Sequence, residues 1–163
     1  MKKFELTNEF IANRFGTKLF RIRALVEFGD VEAGELGGYV EKESNLGHDD
    51  NAWVYGDAQV SGDARVCGNA RVCGDARVCG NGDYAYAHGF GSVNRTTTFF
   101  RLKDGGVGVR CGCFYGTLAQ FRDKIRETHG ETKKAQEYLM LADLMELRFE
   151  EDENEVGNRK YVE

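Results

Sequence analysis

The sequence predicts a mainly β chain whose centre is a short parallel β-helix, with a β cap before it and an α+β module after it. Three observations carry this: a six-residue repeat from Ala52 to Asn81, an alternation of apolar and basic residues ahead of it, and a hairpin pattern followed by two helical patterns behind it. The repeat has little noise: Ala52-Trp-Val-Tyr-Gly-Asp57, Ala58-Gln-Val-Ser-Gly-Asp63, Ala64-Arg-Val-Cys-Gly-Asn69, Ala70-Arg-Val-Cys-Gly-Asp75 and Ala76-Arg-Val-Cys-Gly-Asn81. Ala and Val stand two apart, so both point to one face of a short strand and the residues between them to the other. The following Gly and Asp or Asn tolerate a positive φ, which makes each unit a strand and a corner. A chain that turns every six residues with Ala and Val inward coils into a narrow prism with an aliphatic core.

Before the repeat, Gly38-Tyr-Val-Glu41 and Ser44-Asn-Leu-Gly47 fit the same strand pattern, with a longer corner at His48 to Asn51; after it, Gly82-Asp-Tyr-Ala85 reads as a degenerate last strand. Lys18-Leu-Phe-Arg-Ile-Arg-Ala-Leu25 alternates as a strand and, with Phe4 to Leu6 and Phe10 to Ile11, predicts a small sheet across the N-terminal end of the prism. Thr96 to Leu102 and Gly106 to Phe114 are strand-like runs flanking Lys103-Asp-Gly-Gly106, a hairpin signal. Thr117-Leu-Ala-Gln120 is a capping box that opens a helix ending at Gly130. Thr132 caps a second helix with two apolar stripes, one of Ala135, Tyr138, Leu139, Ala142 and Phe149 and one of Met140, Leu144 and Leu147, so it asks for two partners. The resulting divisions are a cap (1–37), the repeat (38–91), a hairpin with two helices (92–149) and an acidic tail (150–163).

The spacing and residue choice of the repeat is similar to the hexapeptide-repeat proteins, and this resemblance implies a left-handed parallel β-helix with three strands per coil. The whole plan also resembles small phage and prophage proteins, through Leu19-Phe-Arg-Ile-Arg-Ala-Leu25 with Gly37-Gly-Tyr-Val-Glu41, then Thr96-Thr-Thr-Phe-Phe-Arg101, Cys111-Gly-Cys-Phe114 and Glu127-Thr-His-Gly130. Some β-helical phage proteins act against bacterial defences by sequestering nucleotide signals, and the resemblance implies that role here.

Composition narrows the classes. No window approaches a membrane span, and the start Met1-Lys-Lys-Phe-Glu-Leu lacks the apolar run of a signal peptide, which places the expected protein in the cytoplasm, that of the host cell if phage-encoded. The net charge is −5, of which the tail Glu150–Glu163 holds −4, leaving a nearly neutral body that argues against direct nucleic-acid binding. Cys67, Cys73 and Cys79 recur in one outward slot, which three-strand coils turn to three different faces, so they form no bridge. Cys111 and Cys113 on one side of a strand with His129 are a weak metal pattern, since zinc asks for a fourth ligand; their other reading is packing against the helices, and no cofactor or metal is expected.

Stacking strands three apart gives exterior strips. One sets Arg65 on Asp83; another sets Trp53 beside Arg71 and Tyr55 beside Cys73, with the chain's one tryptophan exposed against an arginine for stacking a flat ligand or a second subunit. In the hairpin, Asn94-Arg-Thr-Thr-Thr98 with Arg101 and Arg110 is a candidate phosphate or carboxylate cradle. The ligand-binding candidates are therefore Trp53, Tyr55, Arg71, Arg95, Thr97, Arg101 and Arg110. They describe a non-catalytic, trimeric homo-oligomer that binds a small anionic, nucleotide-like molecule or a host defence protein. Two alternatives stand beside it: an acyltransferase of the hexapeptide type with His48 or His88 as general base, and a purely structural oligomer.

Overall fold

A computed structural model describes residues 2–91 and 95–150. Among the described residues, eleven strands and two α-helices run in the order β1 (Phe4–Ala12), β2 (Lys18–Ala24), β3 (Leu36–Val40), β4 (Trp53–Val54), β5 (Gln59–Val60), β6 (Arg71–Val72), β7 (Arg77–Val78), β8 (Tyr84–Phe90), β9 (Arg95–Arg101), β10 (Val107–Cys111), β11 (Phe114–Thr117), α1 (Leu118–His129) and α2 (Lys133–Phe149). They form a mixed five-stranded sheet in the order β1-β2-β3-β5-β7, an antiparallel four-stranded sheet in the order β11-β10-β9-β8, and a two-stranded parallel sheet of β4 and β6.

The fold class corrects the expectation of a left-handed parallel β-helix. The chain is mainly β, but its sheets are mixed or antiparallel and none closes into a coil. The repeat does give parallel pairs eighteen residues apart, Gln59 against Arg77 and Trp53 against Arg71. Its ladders, however, are only two residues long: glycines at positive φ turn the chain after β4, β5 and β6, at Gly56, Gly62 and Gly74, and Gly68 turns the unit between β5 and β6, whereas Gly80 after β7 is extended. Longer antiparallel hairpins take over on both sides. The cap sheet joins the repeat edge to edge through β2 and β3, rather than lying across an open end.

Other expectations shift for equally local reasons. Tyr84 does not end the repeat; it begins β8, seven residues long, which pairs antiparallel with β9. Glycine also divides the second hairpin run: Gly112 adopts φ +59, and Gly112-Cys113 becomes the two-residue turn between β10 and β11. Cys111 and Cys113 thus do not share a strand face. The hairpin across Lys103 to Gly106 forms as the sequence indicates. So do both helix starts, where Thr117 Oγ1 accepts from the Gln120 N–H at 3.2 Å and Thr132 Oγ1 from the Ala135 N–H at 3.3 Å. The tail beyond Glu150 lies outside the described residues.

Two cores result. The repeat's Ala and Val are fully buried and pack with Phe4, Ile22, Trp53 and Phe100. Phe99, Val109, Phe121, Ile125, Tyr138 and Phe149 build a second core between the antiparallel sheet and the helices. Strand β9 separates them, since its successive side chains alternate: Phe99 enters one core and Phe100 the other. Both are fully buried.

Candidate functional site

The antiparallel sheet docks on the repeat through polar tips. The Tyr115 hydroxyl accepts from the Asp75 N–H at 3.3 Å, the Lys103 N–H donates to the Asp75 carbonyl at 3.0 Å, and Thr98 Oγ1 accepts from the Arg71 N–H at 2.9 Å. That last bond matters most, because it fixes β6 against β9 and so sets Arg71 near β10.

At this seam several side chains meet. Tyr55 and Cys73 are neighbours in the parallel ladder, with the Tyr55 N–H donating to the Val72 carbonyl at 2.8 Å. The Arg110 guanidinium, reaching over from β10, lies 5.5 Å from the Tyr55 ring centre, and its Nη1 is 4.0 Å from Cys73 Sγ. The Tyr55 hydroxyl donates to Asp30 Oδ1 at 2.8 Å, and Arg71 Nη1 sits 3.4 Å from Asp30 Oδ2. Arg110 Nε donates to the Gly112 carbonyl at 2.8 Å. Arg95 reaches the same turn from β9, its Nη1 filling the space that a side chain on Gly112 would occupy, but it belongs to the helix-facing side of the sheet.

The electrostatics follow from burial. Desolvation pushes the Tyr55 phenol well above its ordinary value near 10, and its bond to Asp30 adds to the effect, so it stays a protonated donor through neutral pH. Burial also raises the Cys73 thiol, with Arg110 and Arg71 only partly opposing it. Cys73 is therefore a neutral wall and not a nucleophile. Arg71 is paired with Asp30 and Arg110 lies over the Tyr55 ring, so two guanidinium groups stand against one carboxylate in the seam, which leaves net positive charge and several N–H groups for an anion.

The sequence candidates separate accordingly. Tyr55, Arg71 and Arg110 come together; Arg95 does not, because it shares the face of β9 that carries Thr97 and its charge acts on Tyr138 on the helix side. Trp53 does not: expected exposed, it is fully buried, packed edge-on against Phe28 at 5.2 Å and Phe4 at 6.4 Å, because the cap and its following loop cover that strip. Thr97 is also fully buried and donates to Cys111 Sγ at 3.3 Å on the helix side of the sheet. Arg101 lies at the far end of β9, bound to Asp83 at 3.3 Å and to the Gly105 and Phe149 carbonyls at 3.2 Å each. The Arg65–Asp83 pair is accordingly replaced by Arg101–Asp83. Cys73, expected outward, is buried, whereas Cys67 and Cys79 are exposed. Asn94 lies outside the described residues. Sequence reasoning missed Asp30, which sits in a loop with no pattern, and Gly112, whose bare Cα admits Arg95.

The histidines differ from each other. His48 stacks on Phe4 at 4.3 Å, its Nδ1 accepts from the Lys3 N–H at 3.1 Å, and its Nε2 lies 3.5 Å from Glu43 Oε1. Nδ1 is thus taken up by the cap backbone, while Nε2 lies near Glu43 without a hydrogen bond to it. His88, on β8, bonds Thr96 Oγ1 through Nδ1 at 2.7 Å and is exposed. Elsewhere, a cleft of about 570 Å³ opens between Leu102, Val107, Leu118 and Phe149, rimmed by Asp104, Glu146 and Glu150. None of the sequence candidates lines it.

The site is thus an arginine-rich seam between a repeat and an antiparallel sheet. No family model matches the chain. It is similar to the uncharacterized acetyltransferase YdcK of Escherichia coli strain K12, with 37% identity over 62 residues, which are 34% of this chain and 19% of that protein. The chain therefore spans about a fifth of the length of the curated relative it matches. No described helix is long and apolar enough to cross a membrane.

Proposed function

We propose that the protein is a non-catalytic binding protein whose ligand is a small phosphate-bearing anion, held where Arg71 and Arg110 flank Tyr55. One observation carries this reading: two guanidinium groups from different parts of the chain approach a half-buried tyrosine, Arg110 over its ring and Arg71 through Asp30, which accepts from the tyrosine hydroxyl. Guanidinium groups bind phosphate oxygens in pairs of parallel bonds, and partial burial strengthens such bonds. The Tyr55 ring is already faced by Arg110, so the anion rather than a stacked base is the recognised part. Together with the resemblance to phage proteins, this supports sequestration of a nucleotide-like signal.

Calorimetric titration with ADP and with inorganic phosphate tests the reading. Arg71→Ala and Arg110→Ala are each expected to weaken binding roughly tenfold or more, the loss of about one charge-assisted hydrogen bond. Arg101→Ala, at the far end of β9, leaves the affinity unchanged. Retained affinity in both Arg71→Ala and Arg110→Ala overturns the assignment.

A second reading is acyl transfer, favoured by the similarity to a protein that bears an acetyltransferase name. His88 is its better base, because its Nδ1 is held by Thr96 and the residue is exposed, whereas the His48 ring is stacked on Phe4 with its Nδ1 taken by the Lys3 N–H. Coenzyme A-dependent product formation that is lost in His88→Ala establishes this reading in place of the first.

A further inference from the structure

Helix α2 buries Ala135, Tyr138, Ala142, Met145 and Phe149 against its own domain and leaves Met140, Leu144 and Leu147 exposed by 71, 54 and 68% on the opposite side. Their spacing of four and then three residues is that of a heptad seam, with Leu144 at an a position and Met140 and Leu147 at d positions. The flanks of such a seam decide what sits on it. One flank carries Gln136, Asp143 and Glu150; the other carries Lys134, Leu141 and Arg148. An antiparallel partner helix brings like flanks together, acid to acid and base to base. A parallel one sets Asp143 of each helix against Arg148 of the other, five residues further on.

We infer that the α2 face is the docking surface for a second copy of this chain, with the two α2 helices running parallel. Asp143 retains capacity for this contact: it is 74% exposed and shares Arg122 with Glu146, each at 2.8 Å. Three apolar side chains fall short of the roughly 800 Å² per partner of a tight interface, so the pairing is of about micromolar strength. This surface lies on the helices, away from the arginine seam, and does not depend on the binding proposal above.

Light scattering with the full chain at about 100 μM, well above a micromolar dissociation constant, is expected to give twice the 18.3 kDa chain mass. Leu144→Asp, whose exposed position leaves the fold and its circular dichroism unchanged, returns it to the monomer. Arg148→Asp weakens the pair, and Asp143→Arg combined with Arg148→Asp restores it, with Glu146 still holding Arg122. Orientation is read from Leu147→Cys placed in a chain with Cys67, Cys79 and Cys113 changed to Ser: mild oxidation cross-links residue 147 to its counterpart only when the helices are parallel. A monomer at 100 μM, an assembly that survives Leu144→Asp, or a dimer without the 147–147 cross-link overturns the proposal.

Discussion

The two cores on either side of β9 are made of different materials. In the repeat, small residues recur at fixed steps, and Trp53 is the one fully buried aromatic of the five units from Ala52 to Asn81. Between the sheet and the helices, Phe99, Phe121, Tyr138 and Phe149 do the filling, with ring pairs such as Phe121–Tyr138 meeting edge-on at 5.7 Å. A core of repeated small residues is specified locally, unit by unit. An aromatic core is specified only when separate segments meet. The candidate binding groups belong to neither pattern: Tyr55 and Arg71 come from the outward slots of the repeat, and Arg110 comes from the face of β10 that the helices do not cover.

That contrast can be broken or sharpened by substitution. Trp53→Ala has the largest expected effect, a loss of about 3–5 kcal/mol in denaturant unfolding, because small neighbours cannot collapse into the cavity. Trp53→Phe costs less, since the buried indole N–H has no hydrogen-bond partner among the described residues. If β9 couples the cores, Trp53 fluorescence and helical circular dichroism in Phe121→Ala shift to the same lower midpoint; two separate midpoints would mean independent units.

Alkaline pH strikes both cores at once. Burial raises the phenols of Tyr55, Tyr84 and Tyr138 above the ordinary value near 10. Above that pH the unfolded chain has lost protons that the native chain keeps, so stability falls as pH rises. Phenolate absorbance is expected to lag behind that of free tyrosine and then rise together with unfolding.

Smaller effects concern the seam itself. Thr98→Val removes the acceptor of the partly buried Arg71 N–H and costs about 1 kcal/mol in thermal or denaturant unfolding, while disturbing Arg71. Asp30→Asn barely alters stability, as half-exposed ion pairs contribute about 0–1 kcal/mol. It strengthens phosphate binding a few-fold in calorimetry by removing the competing carboxylate.

What the sequence made legible follows the same division. The inward Ala and Val, the corner glycines, the hairpin across Lys103 to Gly106 and the two capped helices were readable because each depends on residues close in sequence, whereas the second hairpin turn at Gly112-Cys113 was not read. The eighteen-residue pairing of Trp53 with Arg71 was readable as well. The closed coil was not borne out, since strand pairing beyond the repeat depends on which edges the flanking hairpins occupy. Burial of Trp53 was hidden because it requires Phe4 and Phe28 to arrive from the cap. The arginines of the hairpin were read as one cluster, yet the alternation along β9 and β10 sends Arg101 and Thr97 toward the helices and Arg110 toward Tyr55. Strand parity would have separated Thr97 from Arg110 had the register of β9 with β10 been known.

The central claim is that one ligand site is shared by two differently built regions. Hydrogen exchange with and without saturating ADP tests it most directly. The account predicts added protection at Tyr55 to Cys73 and at Arg110 to Gly112 together, with none around Arg101. Protection confined to one of those segments, or centred on Arg101, would contradict it.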